Sequence, residues 1–216
     1  MAIRVLGFDL DQTLYPKSPE IDEAIQAYIY VKIAEHRGCS IEEGKKLFRS
    51  YYPKLSGSKS LMALGVPNAH NIVQEALERA DIDKFLTPNQ DVHKLLYDLK
   101  KHFGSLSLLT GSNKPIAMKK LLKLEIDLSL FDFVITGETP KSDGTAFRQW
   151  LEHFQQHDST LKPEEFLYVG DRVSTDVDMP ATLGIKSVLV NVTKKKEEVT
   201  VAQFTSLLEL REYLLK

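Results

Sequence analysis

The chain has 216 residues, of which 43% are hydrophobic and 27% are charged. This length and composition fit one globular core with a smaller insertion and exclude a disordered protein. The net charge of -2 provides no basic surface for a nucleic acid polymer, and no apolar run is long enough to cross a membrane. Cys39 is the single cysteine, which excludes an internal disulfide, and we expect a cytoplasmic protein.

The first predicted element is a strand over Ile3–Phe8, which is rich in branched and aromatic residues and leads directly to Asp9 and Asp11. The active sites of open parallel sheets lie at this end of the strands. Two carboxylates so close together resist ionisation unless a cation or strong hydrogen-bond donors compensate, and a divalent metal is the usual cation. An ordinary strand end that leads into an Asx turn is the alternative for a lone Asp-x-Asp.

The next segment, 15–87, is predicted to be helical throughout. Ser40 and Glu43 have the spacing of a capping box, and Ser56–Ser60 is predicted to be a turn. Helices are predicted at Ile21–Arg37, Ser40–Tyr52 and Asn68–Ala80. We therefore predict an all-α cap domain, inserted after the first strand and located above its two aspartates.

Beyond Pro88, predicted helices and strands alternate to the end of the chain. The helices are Asp91–His102, Pro115–Leu124, Thr145–Gln156, Thr175–Leu183 and Ser206–Leu215, and the strands are Leu106–Leu109, Phe133–Thr136, Phe166–Val169 and Ser187–Val192. This alternation is typical of a parallel sheet covered by helices on both faces. Residues 1–14 and 88–216 are thus predicted to form an α/β core domain with a Rossmann-like parallel sheet.

Polar residues suited to phosphate chemistry follow the next two strands. Thr110 and Gly111 lie just before a helix, where a hydroxyl and main-chain N–H groups can bind an anion. An ordinary structural turn is the alternative for Thr-Gly. Lys141 lies in the loop after the following strand and adds a positive charge near the same edge, although most loop lysines are simply solvated.

A second acidic pair, Asp171 and Asp176, follows the strand that ends at Gly170. We expect four carboxylates from two strands to converge here, which is unfavourable without compensation but suits a hard cation with oxygen ligands. Mg²⁺ is the predicted ion, because zinc would require histidine or cysteine ligands and none stands beside these carboxylates.

Together these residues resemble the four motifs of the haloacid dehalogenase-like (HAD) hydrolase superfamily, in the same order. The resemblance spans about Val5 to Val192. In the third motif, the usual Lys-Pro is replaced by Lys141-Ser142. The motifs are matched by Asp9, Asp11 and Thr13, then Thr110, then Lys141, and finally Gly170, Asp171 and Asp176.

The resemblance implies an HAD-like fold and a Mg²⁺-dependent phosphatase that forms an aspartyl-phosphate. Asp9 is then the nucleophile, and Asp11 is the general acid and base. Mg²⁺ is held by Asp9, Asp171 and the main-chain carbonyl of Asp11. The phosphoryl oxygens are bound by Thr110, Gly111 and Lys141, and Thr13 and Asp176 support the site.

The helical segment resembles the small cap of this superfamily, which implies that the substrate is a small soluble phosphate ester. Residues 11–16 also resemble enzymes that dephosphorylate pyrimidine nucleoside 5′-monophosphates. Candidates for substrate specificity in the cap are Arg49, Lys54 and Lys59. A phosphomutase of the same fold and a non-catalytic binding protein are the alternative functions, and the oligomeric state is not determined by the sequence.

Overall fold

The computed structural model describes residues 2–52, 54–195 and 197–216, apart from the side chain of Asp83, and separates the chain into two units. The first comprises Met1–Lys17 and Leu86–Lys216, and the second comprises Ser18–Phe85. The helical unit therefore begins three residues later and ends two residues earlier than the predicted segment 15–87. At its start the difference has a physical reason, because Tyr15 and Lys17 contact Asp11 and Asp171 of the first unit.

A parallel sheet forms the centre of the first unit. Over the described residues it has five strands in the order β3-β2-β1-β4-β5. Its strands are β1 (Val5–Phe8), β2 (Leu106–Leu109), β3 (Phe133–Ile135), β4 (Phe166–Gly170) and β5 (Lys186–Leu189). The predicted α/β fold with a parallel sheet is confirmed. The strand order reverses between β1 and β4, and ligands of such sheets bind outside the carboxyl ends of the strands at this position.

The register places the ends of the three central strands at one edge of the sheet. Phe8 lies opposite Leu108 of β2 and Val169 of β4. The main-chain N–H of Asp9 continues the ladder by donating to the carbonyl of Val169 at 2.8 Å. Side chains that follow these strands are therefore neighbours in space, although Phe8 is 100 positions from Leu108 and 161 positions from Val169 in the sequence.

Trp150 shows how helix and sheet pack in this unit. Its ring is fully buried, and its Nε1 donates to Ser107 Oγ on β2 at 2.9 Å. Gly7 on β1 makes room for the ring, because a Cβ at Gly7 would lie 2.7 Å from Trp150 Cζ2. The buried indole therefore has a hydrogen-bond partner for its one polar group.

The second unit is built from four helices over its described residues. They are α1 (Pro19–Arg37), α2 (Ile41–Tyr51), α3 (Gly57–Ala63) and α4 (Ala69–Arg79). The predicted capping box of Ser40 and Glu43 is present at the start of α2. The turn predicted at Ser56–Ser60 is wrong, because Ser56 is instead the N-cap of α3 and its Oγ accepts from the N–H of Lys59 at 3.3 Å. Tyr30, Phe48 and Leu61 are buried in the core of this unit.

Helices of the first unit flank the strands. The α-helices are α5 (Gln90–Phe103), α6 (Lys114–Lys123), α7 (Thr145–His157), α8 (Val173–Asp176), α9 (Asp178–Ala181) and α10 (Leu210–Leu214). Short 3₁₀ helices lie at Asp83–Phe85 in the second unit and at Leu128–Leu130, Pro163–Glu165 and Leu207–Glu209 in the first.

Two predicted helices differ from the structure. The single helix predicted over Thr175–Leu183 is replaced by α8 and α9, which are separated at Val177. Pro180 has no N–H to donate to the carbonyl four residues earlier, which disfavours one continuous helix. The final helix, predicted over Ser206–Leu215, begins as a 3₁₀ turn and becomes α-helical at Leu210.

Across the described parts of the chain, we find no helix with both the length and the apolar character that a membrane span requires.

Candidate active site

The residues that follow β1, β2 and β4 form a buried polar site. Asp9 is 5% exposed, Asp171 is 7% exposed and Thr110 is fully buried. The strand register brings these three side chains to one edge of the sheet, and it places them there from segments far apart in the chain. Such a concentration of buried polar groups is unfavourable unless they are paired or bind a ligand.

Three carboxylates of the site lie close together. Among the residues that the structure describes, Asp9, Asp171 and Asp176 each offer one oxygen within 4.8 Å of the others. Burial raises the pKa of Asp9 to about 7 against the opposing effect of Lys141, and burial also raises the pKa of Asp171. A bound cation would hold these groups ionised, and an all-oxygen donor set fits a hard divalent ion such as Mg²⁺.

Lys141 is the central cation within this acidic group. Its Nζ donates to Asp9 Oδ1 at 2.8 Å, Asp176 Oδ1 at 3.0 Å and Tyr168 Oη at 3.0 Å. Tyr168 uses its own hydrogen to donate to the carbonyl of Leu109 at 2.7 Å, so towards the lysine the phenol is an acceptor. Burial alone would lower the pKa of Lys141, but the charges of Asp176 and Asp9 raise it well above its usual value.

All three N–H donors of the lysine are therefore used by protein groups. In this arrangement Lys141 orients Asp9 and Asp176 and contributes positive charge to the site. The expected direct hydrogen bond from Lys141 to a phosphoryl oxygen requires one of these contacts to be exchanged.

Asp176 also shapes the loop after β4. Its Oδ2 accepts from the N–H groups of Asp171 at 3.2 Å and Arg172 at 3.0 Å. Gly170 is needed for this close approach, because a Cβ at that position would lie 2.5 Å from Asp176 Oδ2. The second oxygen of Asp176 contacts Lys141, so one buried side chain links the loop to the lysine.

Asp11 contacts a different set of partners. Its Oδ1 accepts from Tyr15 Oη at 2.7 Å and from the ammonium of Lys120. Its Oδ2 accepts from Ser112 Oγ at 2.7 Å and from Thr110 Oγ1 at 3.3 Å. Burial favours the neutral acid, but the charge and hydrogen bond of Lys120 outweigh it and hold the pKa of Asp11 well below its usual range.

The predicted convergence of four carboxylates is therefore corrected. Three of them gather in one group, whereas the fourth, on Asp11, is surrounded by four donors. A carboxylate oxygen accepts hydrogen bonds readily, and an ammonium and three hydroxyls provide enough donors to stabilise its charge without a metal.

Two further residues predicted for the site, Thr13 and Gly111, differ from each other in burial. Thr13 is fully buried, and its Oγ1 has no hydrogen-bond partner among the described residues. The main-chain carbonyl of Thr13 accepts from Asn191 Nδ2 at 3.1 Å, and the same amide holds the carbonyl of Gln12 at 2.8 Å. Gly111 is exposed, and a Cβ added to it would meet no heavy atom within 4 Å.

Several residues of the site were not predicted from the sequence: Tyr15, Lys17, Ser112, Lys120, Tyr168 and Asn191. Lys17 Nζ lies 3.1 Å from Asp171 Oδ2. Only Lys120 had a usable sequence signal, because it lies on the same helical face as Ile116, Ala117 and Leu121, all of which are buried. A lysine in the apolar stripe of a helix indicates a buried partner of opposite charge.

Comparisons with known proteins identify the family of this chain. Residues 3–184 match the family model described as haloacid dehalogenase-like hydrolase. The glyceraldehyde 3-phosphate phosphatase of Methanopyrus kandleri is 27% identical over 188 residues, which cover 81% of this chain and 78% of that protein. The corresponding phosphatase of Methanocaldococcus jannaschii is 28% identical over 221 residues and covers 90% and 88%.

A solved structure gives the same result for the fold. The haloacid dehalogenase-like family hydrolase from Streptococcus pneumoniae aligns with a TM-score of 0.70 and 19% sequence identity over 98% of each chain. The match of the family model extends over most of the sequence, from β1 through α9, and includes Asp171 and Asp176. The chain belongs to the haloacid dehalogenase-like hydrolase family.

Proposed function

We propose that this hydrolase is a Mg²⁺-dependent phosphomonoesterase that cleaves a small soluble phosphate ester through an aspartyl-phosphate on Asp9. One observation carries the proposal: the Asp9 carboxylate lies at the end of β1, held by Lys141 and grouped with two buried acids, with a second carboxylate two residues further along. The phosphatase names of the relatives from Methanopyrus kandleri and Methanocaldococcus jannaschii support the same class of reaction.

The acidic group provides the ligands for the metal. Asp9, Asp171 and the main-chain carbonyl of Asp11 would hold Mg²⁺, and Asp176 would support it. When bound, Mg²⁺ supplies positive charge that stabilises the transferring phosphoryl group. The oxygen-only donor set and the raised pKa of Asp9 both favour this assignment.

The chain's own side chains perform the covalent chemistry. An Asp9 oxygen attacks phosphorus as the bond from phosphorus to the leaving oxygen breaks. Because free Asp11 is held ionised, Asp11 first takes up the acidic proton of the bound phosphate monoester monoanion and then gives it to the leaving oxygen. Asp11 then takes a proton from water, which attacks the aspartyl-phosphate and releases inorganic phosphate and free Asp9. Lys141 holds Asp9 in one orientation during both steps.

The phosphoryl group is bound at the end of β2. The main-chain N–H of Gly111 and the hydroxyl of Thr110, which would exchange its contact with Asp11 for the ligand, are the proposed donors, and Lys141 contributes its positive charge. Phosphoryl transfer depends mainly on positioning the phosphoryl group and stabilising its charge. Together with the nucleophile Asp9, these three residues provide most of that positioning and stabilisation.

We assign the helical unit, Ser18–Phe85, to the substrate cap. Its candidate specificity residues Arg49, Lys54 and Lys59 are all exposed, and Arg49 also pairs with Glu23 at 2.9 Å. The alkyl ester tested first is glyceraldehyde 3-phosphate, the compound named for the relatives, and a nucleoside 5′-monophosphate is the second candidate. We place the activity in the cytoplasm.

The experiment is a hydrolysis assay with p-nitrophenyl phosphate and a panel of phosphorylated metabolites, with and without Mg²⁺. We expect release of inorganic phosphate from the wild type and none from Asp9→Asn, while the exposed-residue control Glu152→Gln keeps its activity. A requirement for a sugar bisphosphate would instead identify a phosphomutase, and no turnover of any ester would refute the proposal in favour of a binding protein.

A further inference from the structure

Among the residues that the structure describes, Lys120 is the one buried charge of the site that the proposed reaction does not use. It lies on α6 and is 1% exposed. A methionine of similar length could fill this position without a counter-charge, whereas a buried ammonium is costly unless it is paired and hydrogen-bonded. The presence of lysine at this point therefore indicates a need for its charge and its donors.

The contacts of Lys120 all converge on one carboxylate. Its Nζ donates directly to Asp11 Oδ1 and also to Ser112 Oγ at 2.9 Å. Ser112 in turn donates to Asp11 Oδ2 at 2.7 Å. The lysine thus reaches both oxygens of the same carboxylate, one directly and one through a serine, and Tyr15 donates to the first oxygen at 2.7 Å.

This arrangement restricts the rotation of the Asp11 side chain. A carboxylate held at one oxygen can swing about that contact, whereas a carboxylate held at both oxygens by a lysine, a serine and a tyrosine is fixed in position. Thr110 Oγ1 lies 3.3 Å from the same Oδ2, so the fixed carboxylate lies beside the proposed phosphoryl site.

We propose that Lys120, with Ser112 and Tyr15, is a positioning residue that sets the location from which Asp11 transfers a proton to the leaving group. The inference rests on the proposed phosphatase function and deepens it. Lys120 acts through Asp11 and does not touch the substrate.

If Lys120 positions Asp11 as the general acid, the loss of activity on replacing Lys120 should depend on the leaving group. An alkyl alkoxide is a poor leaving group and needs a proton from Asp11, whereas p-nitrophenolate departs without one. The specificity constant kcat/KM reports the steps up to formation of the aspartyl-phosphate, so it isolates the acid role of Asp11 from its later role as a base.

The experiment compares kcat/KM for an alkyl phosphate and for p-nitrophenyl phosphate in the wild type and in Lys120→Met. We expect the alkyl ester to lose roughly 10- to 100-fold more than the aryl ester, a part of the 10²- to 10⁴-fold that a general acid typically contributes. A series of substituted phenyl phosphates should show a steeper dependence on the leaving-group pKa in the variant. The control is Lys123→Met, which removes a positive charge from an exposed position of α6. This variant should change neither the ratio of the two kcat/KM values nor the dependence on the leaving-group pKa.

A second comparison tests whether Lys120 acts through Asp11. In an Asp11→Asn background, Lys120→Met should have no further selective effect on the alkyl ester. If Lys120→Met does not fold, as judged by circular dichroism, Tyr15→Phe and Ser112→Ala carry the same test and should show a smaller loss in the same direction.

Equal losses for both esters would overturn the inference, because they would indicate a purely structural lysine. A selective loss that persists in the Asp11→Asn background would also overturn it. An inactive wild type would refute the proposed function itself, and with it the inference, so the two failures are distinguishable.

Discussion

Replacing Asp9 by asparagine is predicted to stabilise the chain at neutral pH while it removes activity. Burial raises the pKa of this carboxyl from 3.8 to about 7. As the pH rises from 4 to 7, the unfolded chain therefore ionises Asp9 and the folded chain does not. Folding stability is lost over this interval and levels off above pH 7. Asparagine resembles the neutral acid and has no such loss.

The size of the effect follows from the pKa difference of about 3 units. At about 1.4 kcal/mol for each unit, ionising Asp9 destabilises the folded state by about 4 kcal/mol above pH 7. For a chain of this size, such a free energy corresponds to a change in Tm of roughly 10 °C. The advantage of Asp9→Asn over the wild type should thus be near zero at pH 4 and largest at pH 7 and above.

The assay is thermal unfolding in the presence of a chelator at pH 4, 6 and 8, with Glu152→Gln as a control that removes an exposed carboxylate from α7. The reasoning would be refuted if Asp9→Asn were no more stable than the wild type at pH 8, or if the difference in Tm did not grow with pH. The same preparations test turnover, which should be absent in Asp9→Asn because an amide cannot form the aspartyl-phosphate.

Three further predictions concern the loop, the metal and the cap. Gly170→Ala should lower the free energy of unfolding by about 1–3 kcal/mol, because the added methyl group would lie 2.5 Å from a carboxylate oxygen of Asp176. The control Gly111→Ala has open space around the added methyl group and should not lower it. Equal Tm values for the two variants would contradict the prediction. Hydrolysis should stop in chelator, return with Mg²⁺ and be inhibited by Ca²⁺, whose larger and more flexible coordination shell disturbs the geometry of attack, and full activity in chelator would exclude a metal requirement. Single alanine variants of Arg49, Lys54 and Lys59 should reduce kcat/KM for a nucleotide more than for an aryl phosphate, and proportional losses for both substrates would show that these residues do not determine specificity.

The fold class was predictable from the sequence because local patterns carry it. Alternating helices and apolar strands allow few arrangements, and parallel strands with right-handed crossovers are the usual one. Once the sheet is parallel, residues that follow the central strands must share one edge, so the sequence alone predicts that Asp9, Thr110 and Asp171 lie together. The single helix predicted over Thr175–Leu183 contains Pro180, which lacks the N–H that a continuous helix needs, and the structure has two short helices there instead.

The sequence by itself determined which residue types stand at the ends of the strands, because strand periodicity and chain order are local properties. Only the tertiary structure decided which donors each carboxylate receives. Asp11 contacts Lys120 across 109 positions of the sequence, and Lys141 contacts Asp9 across 132, so no local spacing rule could assign these pairs. Whether an acid joins the acidic group or is neutralised by a lysine depends on charges that the folded chain brings together within a few ångströms, where low dielectric makes each contact strong.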